Sequence, residues 1–376
     1  MLLFAIAVIF GVVVMPALRR RRERQDLERA AATADAMTRR PGPVSFDKAD
    51  HAGHAGHADT GHEGGLVPAD QLDIRLPGPD DDLIAALEET QRTQDWRPVG
   101  KLLALTDEPE LRWQRVQSLA GAASLELARH RATGQGTDAG WLRMWRAQEP
   151  EEAGGAELYA QFLVWEALRD GAAGERRVIL EEAAAVCAEA SRLAAADDPV
   201  PGIVNLYAAR GLGGRQDFDA LWAGLAARAP QHMGAHIAAI SYLSEQWHGS
   251  RADAEGFARA AAGAAGPGSL LPALPLFAVH NHLPDMQYSP GMFQGAVIRD
   301  AIEGAQFALN AAPADHPMAP HVRHLLLWFL VRAERYPEAA EQVRAVDGYV
   351  GAMPWVAGGE PVREYTAFRA LAIARQ

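Results

Sequence analysis

Three stretches of this chain share one grammar: a helix-forming run, a few small or acidic residues, a proline, then another helix-forming run. They are Leu193-Ala194-Ala195-Ala196-Asp197-Asp198-Pro199, Leu225-Ala226-Ala227-Arg228-Ala229-Pro230 and Phe307-Ala308-Leu309-Asn310-Ala311-Ala312-Pro313. Proline lacks a backbone donor and clashes with the turn before it, so each one ends a helix. Its preset φ also suits the first turn of the next helix. Short breakers of this kind, recurring from Asp95 to Pro317, leave room for helices and for little else.

The apolar pattern agrees. Val322, Leu325, Leu326, Phe329 and Leu330 recur at i, i+3, i+4, i+7 and i+8, and Leu327, Trp328 and Val331 are apolar too, so this helix should be buried on nearly every side. Ile179, Val186, Ala190 and Leu193 predict a second helical stripe, with Cys187 as a small core residue. Trp165, Trp222, Trp247 and Trp328 fall on helical faces and read as core. Asp80-Asp81-Asp82 puts carboxylates where a helix N-terminus favours them. With no alternating strand pattern from residue 80 to residue 376, the expected fold there is all-α, built of stacked helical hairpins.

Arg335-Tyr336-Pro337-Glu338-Ala339 reads as the turn into the second helix of such a hairpin. Together with Gln246-Trp247-His248-Gly249-Ser250, the following Phe257-Ala258-Arg259 and the Asp95-Trp96 turn, it resembles an uncharacterised bacterial family of tetratricopeptide-like (TPR-like) helical-repeat proteins, over roughly Asp80 to Gly348. The resemblance implies an αα-superhelix and, by analogy of fold, a role in protein interaction.

Ahead of the helical body, the chain opens on an uncharged apolar run, Leu2 to Leu18, that turns abruptly into Arg19-Arg20-Arg21-Arg22-Glu23-Arg24. As a helix this run is roughly 26 Å long, close to the ~30 Å hydrocarbon core of a bilayer. A cleaved signal peptide needs positive charge before the apolar core and small residues at a cleavage site, and neither is present. Residues 1–18 therefore read as a transmembrane anchor, and the arginines behind it place the body on the cytoplasmic side. Residues 19–40 read as a basic juxtamembrane helix, and residues 41–79, dense in Pro, Gly, Asp and His, as a disordered linker before a helical domain at 80–376. The single cysteine excludes an intrachain disulfide and fits a reducing compartment. A net charge of −12 argues against nucleic acid as a partner.

Histidines supply the candidate chemistry. His51, His54, His57 and His62 in the linker have the residue type and spacing of an adaptable site for Zn²⁺, Ni²⁺ or Cu²⁺. His280 and His282, with Asp285 close by, and His321 and His324, one helical turn apart beyond His316, form a second set suited to a metal or to acid–base work. His232 and His236 have the spacing of a metalloprotease pair but lack its glutamate, since Met233 stands there, and read as packing residues at a helix start. Arg210-Gly211-Leu212-Gly213-Gly214-Arg215 is glycine-rich, but it joins two helices and lacks the strand and the lysine–hydroxyl pair of a phosphate loop.

The expected function is a membrane-tethered, non-catalytic helical-repeat adaptor or scaffold, with no cofactor and with a protein or peptide partner. The alternatives are a metal-dependent enzyme built on His280, His282, His321 and His324, or metal binding by the His-rich linker.

Overall fold

A computed structural model describes residues 65–169, 173–283, 290–358 and 360–376. The expected membrane helix, the basic helix and most of the expected linker, His51, His54, His57 and His62 included, lie outside those residues, as does Asp285. Among the described residues no helix is long and apolar enough to cross a membrane.

The body is all-helical, as the breaker pattern predicts. In chain order the helices are α1 (Asp81–Thr93), α2 (Arg97–Ala104), α3 (Pro109–Thr133), α4 (Gly140–Gln148), α5 (Ala153–Arg169), α6 (Ala173–Leu193), α7 (Val200–Leu212) and α8 (Phe218–Arg228). There follow α9 (Met233–Tyr242), α10 (Arg251–Gly263), α11 (Leu274–Asn281), α12 (Pro290–Phe293), α13 (Ala296–Ala311), α14 (Ala319–Arg332), α15 (Tyr336–Val346) and α16 (Pro361–Ala374). Local chemistry sets many of the ends. The Asp80 carboxylate accepts from Leu83 N–H at 3.0 Å and caps α1, Ser250 caps α10 in the same way, and α3, α7 and α15 carry proline in their first turn.

Helices pack on their neighbours in sequence and on the helix after next. Thus α5 meets α6 and α7, α9 meets α10 and α11, and α14 meets α15 and α16. A third kind of contact closes the array. Helix α3 packs on α5, α7 and α9, and through Gln114 it reaches His321 on α14 at 2.7 Å. Accordingly α3 is buried on nearly every side, with polar Gln114, Arg115, Ser118 and Ser124 inside alongside Trp113, Val116 and Leu119.

The apolar stripe on α14 is where the spacing places it: Val322, Leu325, Leu326, Leu327, Phe329 and Leu330 are all buried. On α6 Val186 and Ala190 of the expected stripe and Cys187 are buried, with Leu180 and Ala183 beside them, while Ile179 and Leu193 sit at the edge of the core. Trp165 is 39% exposed and is not a core residue.

The expected linker boundary at residue 79 is corrected. Residues 65–79 form a strap laid along the C-terminal helices, with Leu72 and Leu76 buried beneath it. Asp73 makes an isolated parallel bridge with Tyr349: its N–H donates to Gly348 O, its carbonyl accepts from Val350 N–H, and Gly351 N–H donates to Leu76 O, each at 2.8 Å. Arg369 donates to Val67 O at 2.6 Å and to Asp347 at 3.0 Å, and Asp347 also accepts from Val67 N–H and Tyr365 O–H. A segment rich in proline and glycine thus becomes part of the fold because its backbone finds partners far away in sequence. The local signal for this contact is Asp347-Gly348, a turn dipeptide whose glycine has φ +98°.

Candidate functional site

The histidines proposed as ligands each have a partner of their own. His280 sits edge-on to Trp328 at 5.4 Å and to Phe329 at 6.3 Å, and burial, aided by the Arg332 charge, pushes its pKa down to about 4. His282 closes α11: its Nδ1 pairs with Ala278 O at 2.8 Å, and its Nε2 accepts from Glu245 N–H at 3.3 Å. His321 donates from Nε2 to the Gln114 amide oxygen, and burial lowers its pKa to about 4. His324 turns the other way, toward the strap, where Nε2 donates to Pro77 O at 2.9 Å and Nδ1 accepts from Trp355 Nε1–H at 3.0 Å. One helical turn puts His321 and His324 on similar faces of α14, but different neighbours claim them. Among the described residues no three of His, Cys, Asp and Glu are grouped to hold a metal ion.

The His232–His236 pair is a packing device. His232 caps α9 by accepting from Ala235 N–H at 3.2 Å, and its Nε2 pairs with Pro109 O at 3.3 Å. Burial holds its pKa at about 4. Beside it Glu110 accepts from Met233 N–H at the start of the helix, and burial outweighs that contact and raises its pKa to about 8. His236 pairs with His232 O at 2.9 Å and packs edge-on to Trp222 at 4.9 Å.

A second buried acidic group escapes any sequence motif. Arg112 donates to Glu157 at 2.8 Å and pairs with Asp198 at 3.0 Å, so one guanidinium serves two carboxylates. Burial, with Asp198 nearby, overrides Arg112 and raises the Glu157 pKa to about 8. The cluster joins α3, α5 and the α6–α7 turn.

A groove of about 390 Å³ opens between the strap and the outer faces of α1 and α3. Its walls are residues 70–75 of the strap with Gln91, Ala122, Leu125, Glu126 and Arg129. Two apolar side chains stand exposed in it, Ile74 at 40% and Leu125 at 42%. The polar walls are built in place. Asp73 holds Arg75 with bonds of 2.6 and 3.1 Å, and Glu126 accepts from Gln91, Gln94, Thr137 and the Ala139 N–H, which pins the α3–α4 loop. Among the described residues the Asp70 and Arg129 side chains make no ion pair, and the backbone groups of Leu72 and Ile74 make no backbone hydrogen bond. Small-molecule sites are mostly apolar and enclosed. This groove is polar, open and lined by uncommitted backbone, and an extended chain segment suits it better. Spacing alone pointed to none of these residues, since the groove forms only when the strap lies down on α3.

No protein-family model, curated protein or solved structure matches this chain.

Proposed function

We propose that this chain is a membrane-tethered, non-catalytic helical-repeat adaptor that docks an extended segment of a protein partner in the groove between the strap and α3. The groove carries the reading. Exposed Ile74 and Leu125 supply apolar contacts, Leu72 and Ile74 offer backbone donors and acceptors, and Asp70 and Arg129 favour a segment bearing both a basic and an acidic side chain. The apolar run Leu2–Leu18 with Arg19 to Arg24 behind it supports a membrane anchor with a cytoplasmic body, and the TPR-like sequence features support an interaction role by analogy of fold.

The test uses the full chain in its membrane, with a photo-crosslinking residue at Ile74, at Leu125 or, as a control, at Phe307, which is 65% exposed on α13. The expected result is one discrete partner captured from both groove positions, absent from Phe307 and lost when Leu125→Asp is added to the Ile74 probe. Equal labelling at all three positions, or none, refutes the reading. Removal of residues 2–18 should release the body from the membrane fraction, and a body that stays behind removes the anchor.

A further inference from the structure

Arg210, near the end of α7, is 9% exposed, and its charge is unmatched. Three other deeply placed arginines meet carboxylates: Arg112 has Glu157 and Asp198, Arg115 has Asp80, and Arg369 has Asp347. Among the described residues no carboxylate lies within ion-pairing distance of Arg210. Its one polar partner is Ser241 on α9, whose Oγ accepts from the first terminal nitrogen. Nε is buried and has no acceptor. Burial lowers the pKa of the guanidinium, the reverse of what an ion pair does.

Aromatic rings cover the faces of this guanidinium. The Trp247 ring lies 4.5 Å from its carbon and the Tyr207 ring 5.3 Å. Such cation–π contacts leave the in-plane N–H groups unsatisfied. With one terminal nitrogen held by Ser241, the remaining donors, Nε–H and the second terminal nitrogen, lie along a single edge. That edge takes a carboxylate through two parallel hydrogen bonds. The turn that carries Trp247 is tied to α7 at the next residue, where His248 Nε2 bonds Arg210 O at 2.7 Å, which leaves the Trp247 side chain itself without a hydrogen bond among the described residues.

We infer that the unpaired edge of Arg210, beside the Trp247 and Tyr207 rings, is a binding site for an organic monocarboxylate whose apolar body packs on Trp247. Two features select that class. A single guanidinium balances one negative charge, and the C-terminal end of α7, whose dipole disfavours any anion, disfavours a dianion such as phosphate more. The flat aromatic walls suit an aryl or alkyl body. Access to Nε requires Trp247 to shift on binding, and its half-buried ring in the 244–249 turn is the element placed to do so.

The test titrates the full chain in detergent with benzoate, with its neutral isostere benzamide, and with a short peptide ending in a free or an amidated phenylalanine, all at constant ionic strength. Thermal midpoint and tryptophan fluorescence are both read. Benzoate should raise the midpoint saturably and change the fluorescence, while benzamide does neither. Equal responses to the two, or no response to benzoate, overturns the site without recourse to any variant. Arg210→Met should abolish the benzoate response while keeping the ligand-free midpoint at or above that of the parent, and a retained response overturns the assignment. Arg210→Lys should weaken the benzoate midpoint by about tenfold, because lysine has no two-donor edge. Trp247→Phe should lose the fluorescence change and keep the thermal one. Tighter binding of the free-acid peptide than of benzoate assigns the carboxylate to a chain terminus, and the reverse order assigns it to a small molecule.

Discussion

The indole N–H of Trp355 donates to Nδ1 of His324 at 3.0 Å, and that bond decides where the imidazole proton sits. With Nδ1 accepting, the proton is on Nε2, aimed at the carbonyl of Pro77 at 2.9 Å. One neutral, fully buried histidine therefore ties α14 to the strap on one side and to the C-terminal turn on the other.

Replacing His324 with leucine leaves the Trp355 N–H and the Pro77 carbonyl buried without partners. The expected cost is about 3 kcal/mol, from two unmet polar groups at roughly 1–3 kcal/mol each with some relaxation. Urea unfolding measures it. A loss below about 1 kcal/mol means that the strap is not held through this residue.

Stability should peak near pH 6.5. His232, His280 and His321 have folded pKa values of about 4 and His324 of about 3, all below their ordinary 6.5. Between these values the unfolded chain binds protons that the folded chain refuses, so stability is lost as pH falls below about 6.5. Glu110 and Glu157, raised to about 8, act in the opposite sense. They hold protons that the unfolded chain has released, so their contribution declines from about pH 4.5 up to 8. Four histidines outweigh two glutamates on the acid side, and the glutamates act alone above 6.5. Thermal midpoints measured across pH 4 to 9 should trace this dome, and Glu110→Gln with Glu157→Gln should flatten its alkaline limb. A midpoint that keeps rising through pH 8 contradicts the assignment.

Arg112→Met strands the nearly buried Asp198 carboxylate and leaves the fully buried Glu157 carboxyl, protonated below about pH 8, without its donor. Removing one partner of a buried ion pair typically costs about 3–5 kcal/mol. Glu157→Gln, which leaves Arg112 with Asp198, should cost about 1 kcal/mol or less. Chemical denaturation of the two variants side by side checks the order, and equal losses would show that Asp198 does not share the guanidinium.

Gly351 packs so closely on the strap that a Cβ there would meet Leu76 N at 2.5 Å, backbone against backbone. Gly351→Ala should lift residues 65–79 and expose them to protease while the rest of the chain stays helical. Limited proteolysis with circular dichroism reads both effects. An uncut strap in the variant places the contact elsewhere.

Much of the helical body was legible because its determinants are local. The stripe on α14, the Asp80 cap and the proline-led starts of α7 and α15 each depend on residues within a turn or two of one another. Faces of alanine-rich helices were less legible. On α6 small residues point every way: Val186, Cys187 and Ala190 are buried as expected, but Ile179 and Leu193 sit at the edge while Leu180 and Ala183 go inside. The groove and the Arg210 site were not legible at all. Ile74 and Leu125 lie in different segments, and Arg210, Ser241 and Trp247 meet only when α7, α9 and the turn after it pack together.

The sequence by itself determined that the body is helical and where many helices begin and end, because i→i−4 bonding, capping and proline geometry are set within a few residues. Only the tertiary structure decided that α3 reaches α14 and that residues 65–79 lie against residues 347–351. Those contacts join segments more than 200 residues apart, as in His321 to Gln114 and His324 to Pro77. Periodicity says that a face is apolar and not which distant surface will cover it, and that choice rests on mutual fit in the packed whole.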